Sequence, residues 1–241
     1  MSKIHFIKSL PSTNDFLKEY IRNQTCEDGF TICTDFQTKG KGQQGNTWES
    51  EKGKNLLFSF VIHPNSIPID QQFILSQLIS ISILEVLKKH IQDVSIKWPN
   101  DIYWKNKKIG GILIENSLQG NSIKHSIIGV GLNINQLEFP PSLPNPVSLK
   151  QITGKTIRRR KLLNEIVSDF LYKFRKIEQI AIRKVYTENL FRKNGFHLFR
   201  TESDQEFTAR IVRVELDGKL ILETPNKEKL SFYFKEIQFV I

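Results

Sequence analysis

The chain has 241 residues, 39% of them hydrophobic, and 35 Lys and Arg against 25 Asp and Glu, for a formal charge of +10. That length supports one large domain, or a main domain with a small appendage, without cross-links, and two isolated cysteines, Cys26 and Cys33, make no disulfide framework and fit a reducing cytoplasm. No apolar run reaches the roughly 18 residues of a membrane span, no signal-peptide pattern opens the chain, and five scattered histidines give no transition-metal spacing; the positive charge attracts anionic partners without choosing among them.

The first element is a strand, "KIHFIKSL", followed by a short amphipathic helix, "PSTNDFLKEYIRN", where Ser12, Thr13 and Asn14 are all good N-cap types and Phe16, Leu17, Tyr20 and Ile21 share one face. "FTICTDF" (30–36) alternates as a strand, and "NLLFSFVI" (55–62) is the continuous apolar run of a buried one. Apolar residues recurring at three and four between Ile69 and Ile91 predict the longest helix. "VSIKWPNDIYW", "KKIGGILIEN" and "KHSIIGVGLNIN" read as successive strands with turns at Pro99-Asn100 and Gln119-Gly120-Asn121, a sequence of strands that favours antiparallel or mixed pairing over repeated strand–helix–strand units. The four prolines of "FPPSLPNPVS" (139–148) require a surface connection, and roughly two helices follow from Arg158. From Gly195 the pattern turns to short strands with a hairpin at Asp217-Gly218. The expected organisation is α+β: residues 1–193 as a mixed or antiparallel sheet packed with helices, and 194–241 as a small β-barrel.

Between the strands ending near residue 36 and starting at 55 lies "TKGKGQQGNTW". Gly40, Gly42 and Gly45 fall on G-x-G-x-x-G, the spacing of a dinucleotide-binding turn, but no helix opens after them: the next residues are polar, broken by Gly53, and lead into another strand. A P-loop fails because Asn46-Thr47 stands where Lys-Ser/Thr is needed, and a kinase loop fails for want of H-R-D and D-F-G. What remains is a loop of about 17 residues with Lys39, Lys41, Lys52 and Lys54, either a mobile connection or a binding loop that orders over a ligand. Trp48 favours the latter, since a large aromatic in a polar loop is costly unless it packs.

Three further places hold chemistry. Lys97 sits on an apolar strand beside Trp98, with Asn100 and Asp101 projected by the turn at Pro99; it is either a partly desolvated cation seeking an anion or an edge lysine paired with Asp101. Lys108 precedes the Gly110-Gly111 pair, which permits close backbone approach, and could equally be a turn lysine. Asn133 and Asn135 fall on the polar side of the last of these strands, as ligand contacts or turn caps. Uncharged hydrogen-bonding groups with lysines suit a small polar ligand and a phosphate, and no Ser-His-Asp, Cys-His or paired-carboxylate set competes.

"STND", "QTKGKGQQGNTWES", "KWPNDIYW", "KKIGGILIE" and "GVGLNIN", in that order, with "PVSLKQITGK" and a β-rich tail, resemble the biotin protein ligases (biotin–[acetyl-CoA-carboxylase] ligases) over nearly the whole chain. The resemblance implies a class II synthetase-like catalytic fold with an SH3-like C-terminal barrel. It implies activation of biotin by Mg-ATP to biotinyl-5′-AMP, then transfer to one lysine of a biotin carboxyl carrier protein, with biotin and ATP as substrates and Mg²⁺ required. By the resemblance, Ser12, Thr13, Asn14 and Gln37 contact the ureido ring. Lys41 and Lys108 meet the biotin carboxylate or acyl phosphate, Gly42 gives backbone approach, and Gln43 belongs to the biotin side. Lys97 neutralises the α-phosphate, Gly40, Gly45, Trp48 and Asn133 belong to the adenylate side, and Asp101 helps hold Mg²⁺. Lys97, Lys108 and Lys41 are the catalytic candidates.

Two departures bear on these expectations. Lys41, Gln43 and Gln44 stand where regulatory members of the family have an arginine-rich loop, so a weaker grip on the acyl phosphate is expected. Too few residues precede Ser12 for a winged helix-turn-helix, so the resemblance is to a monofunctional type without sequence-specific DNA binding, cytoplasmic and a monomer or homodimer. A lipoate or octanoate transferase is the alternative within the same fold, and a basic nucleic-acid-binding module using "RRRK" (158–161) is the alternative from another class.

Overall fold

The computed structural model describes residues 3–241. A seven-stranded sheet forms the larger part. Its strands are β1 (Ile4–Ile7), β2 (Thr31–Thr34), β3 (Leu56–Ile62), β4 (Val94–Lys97), β5 (Asp101–Trp104), β6 (Lys107–Gln119) and β7 (Ser122–Leu132), in the spatial order β1-β2-β3-β7-β6-β5-β4. β1 and β2 run parallel and the other pairs antiparallel, so the sheet is mixed as expected.

The run "LLFSFVI" is buried along its whole length because both faces of β3 are covered. Leu56, Phe58, Phe60 and Ile62 point into the main apolar cluster with helices α2 (Phe73–Lys88) and α4 (Arg159–Arg175), where the Phe60 ring meets Phe170 edge-on at 5.0 Å. The alternate residues face α1 (Thr13–Asn23): Val61 joins Leu17 and Ile127 in a second, smaller cluster. α2 is buried nearly all round, which fits a sequence with only Glu85 and Lys88 charged. α5 (Gln179–Glu188) packs beside α2 through Tyr186, whose ring stands perpendicular to Phe73.

Several boundaries differ from the periodicity reading. A 3₁₀ turn, Ile69–Gln71, precedes α2, so the regular helix begins four residues after Ile69. β6 and β7 extend to the tight turn at Gly120 as one long hairpin. A short helix, α3 (Leu149–Thr153), follows the proline-rich connection, closed by a capping box between Ser148 and Gln151 and by Gly154 at φ 70°. Its five residues are too few for a period to show.

The second sheet is antiparallel and five-stranded: β8 (His197–Thr201), β9 (Glu206–Val214), β10 (Leu220–Glu223), β11 (Lys229–Phe232) and β12 (Ile237–Phe239), ordered β11-β10-β9-β8-β12. "KLSFYFKEIQFVI", one apolar run in sequence, divides into β11 and β12 on opposite edges. Its apolar side chains, Phe199, Ile211 and Phe239 among them, belong to the same cluster as Ile96, Trp98 and Phe191 of the larger part. Polar ties reinforce the contact: the Trp98 indole donates to the Gly218 carbonyl (2.9 Å), Arg192 to the Val240 carbonyl (2.6 Å), and Lys193 to two carbonyls of β9 (3.0 Å each).

Candidate active site

Strand register builds the floor of the site. Leu57, Gly131, Gly111, Asp101 and Lys97 stand opposite one another in a row across β3, β7, β6, β5 and β4. The row beside it runs Ser59, Gly129, Leu113. The glycines are small for a reason visible in each case. A Cβ on Gly129 would lie 2.1 Å from Asn14 Oδ1, and one on Gly131 would lie 2.6 Å from the Trp48 ring. Both distances are far inside van der Waals contact, so Asn14 and Trp48 reach the sheet only because these positions have no side chain.

A cavity of about 750 Å³ opens over this floor. Ser12, Thr13, Asn14, Gln37, Lys41, Gly42, Gln43, Trp48, Lys97, Asp101 and Lys108 all line it. Three of the sequence candidates do not: Gly40 and Gly45 lie elsewhere in the loop, and Asn133 is buried beneath Lys108, its N–H bonded to the Ile109 carbonyl. β7 ends at Leu132, so Asn133 and Asn135 follow the strand and are not on its polar side; Asn135 is bonded through its side chain to both the N–H and carbonyl of Ile157.

One wall is uncharged. Ser12 caps α1, its hydroxyl accepting from the Asp15 N–H, and this leaves Thr13 and Asn14 in the first turn facing the sheet. Gln37 Oε1 accepts from the Thr13 N–H (2.7 Å) and hydroxyl (3.0 Å). The Ser59 hydroxyl is 2.6 Å from both Thr13 Oγ1 and Asn14 Oδ1, and with a single proton it serves one of them at a time. Asn14 Nδ2 donates to Glu115 Oε2 at 2.7 Å. Ser59 lies outside every quoted motif, and Glu115 closes "KKIGGILIE" without a role that the resemblance assigns. Ser59 is a lone serine in an apolar strand, and its position two residues from Leu57 on the alternate face is the only sequence signal it leaves.

The same cavity holds lysines, the first of them beside α1 and the other two on β4 and β6. Lys41 pairs with Asp15 at 2.7 Å, both half-exposed, and this bond holds the Lys41 ammonium above the ordinary lysine range. Lys108 pairs with Asp101 at 2.8 Å and lies 5.9 Å from the Trp48 ring. Lys97 donates to the Tyr103 hydroxyl (3.2 Å) over the rings of Tyr103 and Phe239. Burial lowers the Lys97 pKa, Asp101 opposes that shift, and Arg192 adds to it. The Asp101 carboxylate is therefore engaged by Lys108, and the sequence alternative of a Lys97–Asp101 pair gives way to Tyr103, which is two residues beyond Asp101 on the same strand.

The glycine loop is a bent hairpin. Lys41 and Thr47 bridge, Gly42 N–H donates to the Asn46 carbonyl (2.7 Å), Trp48 N–H donates to Gly40 (3.0 Å), and Gln43–Gly45 form a 3₁₀ turn ending on Gly45 at φ 88°. The Gln44 side chain lies outside the described ones. The loop thus closes on itself and presents Trp48 to the floor, with its indole Nε1 buried and without a partner among the described residues. The second sheet supplies the remaining lining, Glu202, Phe234, Lys235, Ile237, Gln238 and Phe239, which no local pattern could place here.

A model of the biotin/lipoate A/B protein ligase family matches residues 6–133, the span from β1 to the end of β7. The chain belongs to that family. Among curated members of the family, the bifunctional ligase/repressor BirA of Bacillus subtilis is 27% identical over 90% of this chain and 68% of its own length. The chloroplastic biotin–protein ligase 1 of Arabidopsis thaliana is 30% identical over 70% of this chain and 46% of its own length, so the chain spans less than half of that relative. Among solved structures, the Aquifex aeolicus biotin protein ligase in complex with biotin and ATP superposes over 100% of both chains with a TM-score of 0.80 at 24% identity, which establishes the shared fold. The ligase-family motifs quoted from the sequence are the segments that surround the cavity.

Proposed function

We propose that this chain is a biotin protein ligase that activates biotin with ATP to biotinyl-5′-AMP and transfers biotin to a lysine of a biotin carboxyl carrier protein. The observation that carries this reading is that an uncharged hydrogen-bonding cluster and three lysines line one cavity over a single floor. A ureido ring offers two N–H donors and a carbonyl. Thr13 and Asn14 share one Ser59 proton between two oxygens, which leaves acceptor capacity for such donors, and the Ser12 and Thr13 hydroxyls complete the set.

In the first step a biotin carboxylate oxygen attacks the α-phosphorus and pyrophosphate leaves. Negative charge grows on the phosphoryl oxygens, and preorganised cations in a site partly shielded from water stabilise it most effectively. Lys97 suits that role, because it is already desolvated and its bond to Tyr103 leaves two ammonium protons for the phosphate. Lys108 and Lys41 are placed for the carboxylate, with Gly42 admitting close approach. Trp48 packs against Gly131 of the floor and offers an aromatic surface for the adenine. Mg²⁺ fits as an ion that arrives on the triphosphate, because Mg²⁺ sites of this kind use one or two carboxylates plus substrate phosphates. Asp101 is the carboxylate that would hold it, and the ion would supply further charge neutralisation. Among the described residues no group of three or more His, Cys, Asp or Glu could hold a metal alone. No helix among them is long and apolar enough to cross a membrane, and the working compartment in this reading is the cytoplasm.

The test is incubation of the protein with biotin and Mg-ATP, following pyrophosphate release and then biotin transfer to an apo carrier domain. Both steps are expected, with Lys97→Ala inactive in the first. Release with lipoate or octanoate and not with biotin would move the chain to the other branch of its family.

A further inference from the structure

A second cavity, of about 230 Å³, adjoins the main one and shares Gln43, Trp98, Pro99, Asn100, Ile112 and Phe234 with it. Its chemistry is different. Lys41, Lys97, Lys108 and Lys235 make the main cavity cationic, whereas among the described residues no lysine or arginine lines the second one. Its walls are apolar, built by Phe73, Ile112, Ile114 and Phe234. Its polar side chains are amides and hydroxyls, with Asp217 the one carboxylate among the described residues that line it. Gln43 Oε1 and Asn116 Oδ1 are buried without a hydrogen-bond partner among the described residues, and the Asp217 carboxylate, accepting from the Tyr233 hydroxyl, stands at the hairpin turn that closes one side. Unsatisfied buried oxygens cost free energy, and a cavity that keeps two of them is built to receive a donor.

Resting on the ligase reading above, we propose that this second cavity is the sleeve through which the carrier protein's acceptor lysine reaches the adenylate. The apolar walls cover the methylene stem of a lysine, and the free oxygens accept from its nitrogen, the division of labour that long cationic side chains require. At the ~30 Å³ that a water occupies, the space admits the five non-hydrogen atoms of that side chain. The shared residues bring its inner end to the wall behind which Lys97 and Lys108 gather the acyl phosphate. In the transfer, the lysine ammonium first loses one proton to water at the open end. The nitrogen lone pair then forms the N–C bond to the biotinyl carbon as the C–O bond to phosphate breaks. That electron pair leaves on AMP, and the second nitrogen proton passes to water.

The experiment separates the two half-reactions in the full chain. Asn116→Leu removes an acceptor with little change of volume, and Ile114→Phe narrows the sleeve; both residues line the second cavity and not the first. Pyrophosphate release with biotin should hold within about twofold of the parent, while kcat/KM for transfer to the apo carrier falls about tenfold, the effect of losing one hydrogen bond to a charged group. Unchanged transfer in both variants, or an equal fall in both half-reactions, overturns the proposal. A parent chain that releases no pyrophosphate with biotin overturns the ligase reading instead, so the two failures are distinct.

Discussion

On the wall made by Thr13, Asn14, Gln37 and Ser59, each side chain is bonded to another of the set, and the set is sealed below by Gly129 and Glu115. Lys41, Lys97 and Lys108 in the same cavity are held by one polar partner each: Asp15 for Lys41, Tyr103 for Lys97, Asp101 for Lys108. The first arrangement is a fixed template, whose shape is set before any ligand arrives. The second is a row of cations on exchangeable partners, which can give up a carboxylate for a phosphate. A neutral heterocycle needs the template, because misaligned neutral hydrogen bonds gain little. Developing charge needs the cations, whose attraction reaches further and tolerates movement.

Four substitutions break or sharpen that contrast. The largest effect is expected at Lys97→Ala, which should slow pyrophosphate release about 10²–10³-fold, the range for removing one preorganised transition-state donor, with the biotin Kd by titration little changed. Next is Gly129→Ala. Its Cβ would meet Asn14 Oδ1 at 2.1 Å, so the template itself must shift. Overpacking of about 1–3 kcal/mol would lower Tm by several degrees at about 2–4 °C per kcal/mol, and biotin affinity should fall with it; calorimetric titration with biotin alone, without ATP, reads that loss on the template.

A pH profile sharpens the cationic side. Burial holds the Lys97 pKa below the ordinary lysine value, so adenylation should fail on the alkaline side at a lower pH than a solvated lysine would allow. Phe239→Ala admits water to Lys97 and should move that limb upward, measured as kcat for pyrophosphate release against pH. The linkage has a definite sign: the unfolded chain binds more protons at this site than the folded one between the depressed and ordinary values, so this group's contribution makes stability rise with pH across that window. The smallest effect is expected at Asp15→Asn. Its pair with Lys41 is half-exposed and worth about 0–1 kcal/mol, so Tm should stay put while Lys41 loses its leash; a Tm drop comparable to that of Gly129→Ala would show that the cationic wall is structural as well.

Much of the molecule is legible in sequence because local rules dominate it. The Ser12 cap fixes where α1 starts, continuous burial marks β3, and the residues that follow the loop glycines exclude three nucleotide folds. The motif residues also converge as their order implied, apart from Gly40, Gly45 and Asn133. What escapes is set by register and distant packing. Ser59 serves the template only because β3 pairs with β7 at the register that puts it beside Gly129. Tyr103 and not Asp101 takes Lys97, since Asp101 is claimed by Lys108 from the next strand. Phe234, Lys235 and Phe239 enter the cavity from a sheet more than a hundred residues away, and no window of sequence holds that contact.

The shared apolar cluster that joins Ile96, Trp98 and Phe191 to Phe199, Ile211 and Phe239 has a thermal consequence. Small domains that melt independently give separable heat-absorption peaks, but residues 197–239 cannot lose their packing without stripping the cover from β4 and from the segment after α5. Differential scanning calorimetry should therefore record a single endotherm whose calorimetric and van't Hoff enthalpies agree. Both sheets would then unfold as one cooperative unit, and heat would abolish the cavity in a single event.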